Sequence, residues 1–279
     1  MGRWRPALVA LGLIAVTAAC RTSPGAGRAA DPIAPVIEEA TADGKPRVEL
    51  LAAGATPRAP LRLTPSAGVR TDADVATVIR GRLDSGHETR VEMAYGWTGS
   101  VVDAGNDIRV AGQLDHMSFD GEPAEPLAVA FSYVLSSTGW ITEFELDKPE
   151  PTPIEAALAE SARQALAFLA VFPASPIGVG ARWRLEVEVV QNGTPVAMTV
   201  TSTLVERDGQ RARIRAELAF RSTAEGPVSI EGTGALELLV DVRQAVPTTR
   251  LTMTYVGHIA GDEPDTLRGD ATMTLTPRR

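Results

Sequence analysis

The sequence predicts a mainly β protein: curved antiparallel sheets in two similar halves, of half-barrel or open-barrel type, with one central amphipathic α-helix. Three observations predict it. Apolar and polar residues alternate with period two through most of the chain after Arg47, the pattern of strands that bury one face. Asn-Gly and Asp-Gly turns separate many of the alternating runs, as they do in consecutive antiparallel strands. Only residues 152–172 switch to a repeat of three to four, the spacing of a helix with one apolar stripe.

The first β half is expected over residues 47–151. "DVATVIRGRL" places Val75, Thr77, Ile79 and Leu83 on one face. Val91, Met93, Tyr95 and Trp97 alternate next, and Ile108, Val110 and Leu114 follow the turn "DAGND". Leu127, Val129, Phe131, Tyr133 and Leu135 then lead through "SSTG" to Trp140, Thr142, Phe144 and Leu146, all expected to face inward.

The connecting helix is expected over residues 152–172. Thr152 is suited to the N-cap, Pro153 to the first helical position and Glu155 to a capping box. Ile154, Leu158, Ala162, Ala165, Leu169 and Phe172 make the stripe, and Pro173 ends it. Such a stripe is buried most readily against a sheet.

The second β half is expected over residues 173–279. "RWRLEVEVV" points Trp183, Leu185, Val187 and Val189 inward and Arg184, Glu186 and Glu188 outward. Asn192-Gly193 suits a type I′ turn into Val196, Met198, Val200, Ser202 and Leu204. Asp208-Gly209 turns the chain into Ala212, Ile214, Ala216, Leu218 and Phe220. "SIEGTGALELLVDV" pairs with "RLTMTYVGHI", whose Leu251, Met253 and Tyr255 face inward, and Leu267, Ala271, Met273 and Leu275 close the chain. The halves share an order of strand, acidic-Gly turn and strand, the layout of a duplication.

The start of the chain is written differently. Arg3 and Arg5 precede an uncharged apolar segment, Ala7 to Ala19, too short to span a bilayer as a helix. This is the pattern of a signal peptide, residues 1–19. Residues 20–46, rich in Ala, Pro, Gly and acids, read as a flexible tether, with a short strand at Ala34–Ile37 as the alternative. Ala18, Ala19 and Cys20 resemble a bacterial lipobox, with Thr17 where Leu is usual. The resemblance implies a lipoprotein acylated (palmitate-type) on Cys20 and anchored to the membrane through its lipidated N-terminus. Arg21, rather than Asp, then implies the cell outer membrane, facing the periplasm or the surface. Ordinary cleavage after Ala19, leaving a free thiol, is the alternative. The stretch Pro176, Ile177, Gly178, Gly180, Trp183 is similar to one found in uncharacterised β-rich envelope lipoproteins carrying a domain of unknown function. That resemblance implies no activity. Physically, the two glycines let the chain turn into a strand that Trp183 anchors.

Composition excludes several functions. The net charge of −8 becomes more negative once the signal, with two arginines and no acid, is removed. Such a body repels nucleic acid. No phosphate-binding glycine motif is present, so no nucleotide is expected. His87, His116 and His258 are far apart in sequence, no nucleophile elbow or Ser-x-x-Lys occurs, and Cys20 is the sole cysteine. No cofactor, no metal site and no catalytic residue is therefore assigned, and the protein is expected not to be an enzyme. The one positive feature is aromatic. Trp97, Phe131, Tyr133, Trp140, Trp183 and Met253 share the inward parity and are the candidate contacts for an apolar or lipid-like ligand in a concave sheet. The expected function is thus a non-catalytic binding module of the envelope. The alternatives are a structural lipoprotein that meets another envelope protein and, last, a hydrolase whose site has no sequence signature.

Overall fold

The computed structural model describes residues 46–278, apart from 106, 124–128, 148–170, 192–193, 225–227 and 261–263. The described residues form thirteen strands. The first seven are β1 Arg47–Ala52, β2 Ala73–Leu83, β3 Glu88–Ala104, β4 Asp107–Phe119, β5 Glu122–Pro123, β6 Val129–Ser136 and β7 Ile141–Leu146. The rest are β8 Arg182–Gln191, β9 Thr194–Asp208, β10 Arg211–Ser222, β11 Val228–Asp241, β12 Thr248–Ile259 and β13 Asp265–Pro277.

All thirteen belong to one antiparallel sheet, in the order β1-β8-β9-β10-β11-β12-β13-β2-β3-β4-β6-β7, with β5 paired to β4. The end strands β1 and β7 do not pair with each other, so the sheet is not closed into a barrel. The two expected halves are not separate sheets. β13 pairs with β2 from Leu267↔Leu83 to Pro277↔Ala73, and β1 crosses to the far edge beside β8. The physical reason is continuity of the apolar face: Leu267, Ala271 and Leu275 stand opposite Leu83, Ile79 and Val75, all buried. A boundary there would expose both rows.

The inward alternation is realised along most strands. Ile79, Met93, Tyr95, Leu204, Ile214, Tyr255 and Leu275 belong to one cluster of buried residues. Of five register shifts among the described strands, two move residues away from their expected face. In β4, Gly96↔His116 is followed by Trp97↔Leu114, so Asp115 is the extra residue and Met117 turns inward instead of His116. In β7, Leu135↔Ile141 follows Val134↔Glu143, so Ile141 is buried and Thr142, expected inside, is exposed. The turn after β9 also lies one residue later than expected: Asp208 pairs with Arg211, leaving Gly209 and Gln210 between them.

The expected helix lies outside the described residues except for its last two. Among the described residues there is no helix, and Val171 and Phe172 are not helical. The Phe172 amide donates to the Thr138 carbonyl, a partner far along the chain instead of one a helical turn back. The signal segment, the tether up to residue 45, the Ala34–Ile37 alternative and the Asn192-Gly193 turn also lie outside the described residues.

Residues 53–72 run from β1 at one edge to β2 in the middle and tie distant turns together. Leu63 donates its amide to Ser137, Thr64 to Val242, and Ala59 exchanges amide and carbonyl bonds with Ile177. Arg207 and Arg62 clip this strap by donating to the carbonyls of Ala59 and Pro60 and of Pro173 and Ala174. The glycines before β8 serve it too. A Cβ on Gly178 would sit 1.8 Å from the Ala55 carbonyl oxygen, so the strap can approach only glycine there. Gly180 takes φ of 81° and turns the chain into β8.

Candidate functional site: an aromatic interior beside the edge strand

Four strands at one end of the sheet bring aromatic rings together. Period-two alternation puts Tyr95 and Trp97 of β3 and Phe131 and Tyr133 of β6 on the inner face, and Phe144 of edge strand β7 completes the group. Phe131 is the centre. It meets Trp97 edge-on at 6.3 Å between centroids and stacks on Tyr133 at 6.2 Å and on Phe144 at 5.7 Å. β4 lies between β3 and β6, and a side chain there would keep the rings apart. Gly112 stands opposite Phe131, and a Cβ on it would be 2.8 Å from the Phe131 ring. The missing side chain is the space that ring fills.

Among the described residues, two polar atoms in this group have no partner. Trp97 is 0% and Tyr133 1% exposed, yet neither the indole Nε1–H nor the phenol oxygen makes a hydrogen bond. Among the described residues the buried Thr71 and Thr249 hydroxyls also lack a partner, but other buried aromatic tips are satisfied. Trp183 Nε1 donates to the Val171 carbonyl at 2.8 Å, and the Tyr255 hydroxyl donates to the Arg80 carbonyl at 3.0 Å. Burial pushes the Tyr133 hydroxyl far above its ordinary range, so it stays protonated and neutral. An unsatisfied buried group costs about 1–3 kcal/mol.

The six expected contacts do not line one open hollow. Trp97, Phe131, Tyr133, Trp183 and Met253 are all buried in the packed interior, and Trp140 is partly buried against it. Trp97, Phe131 and Tyr133 form the group above. Trp183 is held elsewhere: its Nε1 donates to the Val171 carbonyl, and the next residue, Phe172, donates its amide to Thr138 in the β6–β7 turn that leads to Trp140. Met253 stands apart: its row reads Met253↔Ala271↔Ile79↔Val91, six residues along β3 from Trp97, or about 20 Å at the rise of a strand. Phe144 and Gly112 were not among the expected contacts. The alternation that put Phe144 on the inner face was the available signal for it; nothing marked Gly112.

The polar clusters have other work. His116 lies between Asp115 and Asp74, both of which also bind Arg278. Arg278 further donates to the Trp97 carbonyl, so the cluster lashes the chain's last described residue to β2, β3 and β4. Burial pushes the neighbouring Asp72 carboxyl up, but the Gly99 amide, Arg70 and Arg278 together hold it below its usual range. His87 and His258 are exposed elsewhere, in the β2–β3 turn and near the end of β12. Among the described residues, no group of three or more His, Cys, Asp or Glu is placed to hold a metal. No described helix is long and apolar enough to cross a membrane. A groove of about 540 Å³ lies on the opposite, polar face, over β8 to β12.

No protein family matches the chain, and no curated protein matches it. Among solved structures, the chain is similar to the crystal structure of Rv2717c from M. tuberculosis, with a TM-score of 0.26 and 9% identity over 75% of this chain and 92% of that one.

Proposed function

We propose that this protein is an exported, lipid-anchored component of the cell envelope that acts as a non-catalytic binding module for an apolar, lipid-like ligand. The observation that carries the ligand is the pair of unpartnered polar tips, Trp97 Nε1 and Tyr133 OH, on rings that both touch Phe131. They fit a neutral apolar molecule bearing an oxygen acceptor, such as an ester or alcohol. An ionised head is disfavoured, because a charge unpaired in an apolar interior is costly. Phe144 and Leu146, partly buried on edge strand β7, mark the way in. The ligand takes the place of the Phe144 ring against Phe131. The lipobox-like segment ending at Cys20 supports the anchor and, with Arg21, the outer membrane.

The test is competition with a fluorescent apolar probe on the purified full-length protein. Methyl decanoate and 1-decanol should bind about tenfold more tightly than decane, the worth of roughly one hydrogen bond. The Trp97→Phe, Tyr133→Phe double variant should lose that preference. No uptake of either molecule refutes the ligand. Labelled palmitate should attach in cells to the protein but not to Cys20→Ser; no label on the parent protein refutes the anchor.

A further inference from the structure

The groove on the outer face is built from a cross-strand row. The register runs Arg182↔Thr203↔Arg215↔Glu237↔Arg250 over β8, β9, β10, β11 and β12, and all five residues line the groove. Its side walls are long charged chains and its floor is short: Thr201 and Thr252 lie in the adjacent row. Successive arginines are two strands apart, about 10 Å at the usual strand spacing. Among the described residues, the side chains of Arg182 and Arg250 make no hydrogen bond or ion pair, and both are exposed. Among the described residues Arg215 reaches only Glu237, at 3.8 Å, and Glu237 is shared with Arg213 at 3.7 Å. On a chain of net charge −8, three arginines against two glutamates, Glu217 and Glu237, in one hollow are a local reversal of sign.

We infer that this groove binds a linear acidic oligosaccharide in which anionic sugars alternate with neutral ones. Each guanidinium presents a fork of donors suited to a carboxylate. Between the arginines, Thr203 and Glu237 offer oxygen acceptors for sugar hydroxyls, and Glu217 adds another. The same glutamates and the acidic body repel a dense polyanion such as nucleic acid, and no aromatic platform for stacking bases lines the groove. The spacing of sparse charges, rather than their number, is what the row matches. This site is on the opposite face from the aromatic interior and does not depend on it.

The experiment is calorimetric titration of the full-length protein at low salt with a hyaluronan octasaccharide, whose carboxylates alternate with neutral sugars. A chitin octasaccharide serves as the neutral probe and a heparin octasaccharide as the densely charged one. Hyaluronan should bind best and weaken as salt rises, as exposed charges are screened. The Arg182→Gln, Arg250→Gln double variant should lose at least tenfold in affinity with an unchanged melting temperature, since neither side chain has a partner to lose. Absence of hyaluronan binding overturns the inference. So does an unchanged affinity in the variant, or equal or tighter binding of the chitin or heparin probe.

Discussion

Asp241 shows how much a single side chain can hold at a turn. It closes β11, and its carboxylate accepts from the Arg243 amide at 3.1 Å, from Nε at 3.0 Å and from the guanidinium Nη2 at 2.7 Å. The Arg243 side chain, against the effect of burial, holds the carboxyl down to about 2 from an ordinary 3.8. A folded-state value below the unfolded one means the stabilisation is whole above the unfolded value and drains as pH falls through the folded one. Melting temperature should therefore fall between about pH 4 and pH 2, and Asp241→Asn should flatten that part of the profile. A scan from pH 5 to pH 2 by circular dichroism reads both. The residues of the aromatic interior follow the same logic in reverse: Trp97 and Tyr133 are placed where their polar tips gain nothing from the protein itself.

At the scale of elements, the strap and the strand it meets depend on one close approach. Gly178→Ala puts a methyl against the Ala55 backbone carbonyl, which no rotamer can relieve, and should cost about 3 kcal/mol, the upper end for an overpacked site. Gly180→Ala meets nothing within 4 Å and suffers only its positive φ, so it should cost about 1 kcal/mol. Urea midpoints of the two variants decide the order; equal losses would mean the strap does not need that contact. The two glycines look alike in the sequence, where both read as a turn. Only Gly180 turns; the demand on Gly178 comes from Ala55, more than a hundred residues away, and no local pattern records it. The bulges are hidden for a related reason. An extra Asp115 or Thr142 leaves composition unchanged while putting the residues on its two sides on opposite parities, so Met117 and Ile141 face inward against the expected alternation.

For the whole molecule, alternation is what made the fold legible. Ile214, Leu204 and Tyr95 sit where period two puts them because a sheet with one buried face permits no other register. What alternation cannot express is which strand lies next to which. The crossing of β1 to β8 and the joining of β13 to β2 turn two expected halves into one open sheet. The candidate site was legible to the same depth. Parity identified Trp97, Phe131 and Tyr133 as inward, and it equally admitted Met253, because it reports a face and not a distance along it. That two buried polar tips stay unpaired could not be read from the chain, since satisfaction depends on what surrounds an atom after folding.

The central claim is that an apolar ligand satisfies those tips, and the indole N–H signals of an ¹⁵N-labelled sample test it most directly. On titration with methyl decanoate, the Trp97 indole resonance should move downfield and saturate as its N–H gains an acceptor. The Trp183 resonance, already bonded to the Val171 carbonyl, should stay in place. A Trp97 resonance that does not move at saturating ligand, or that moves no more than that of Trp183, would contradict the account.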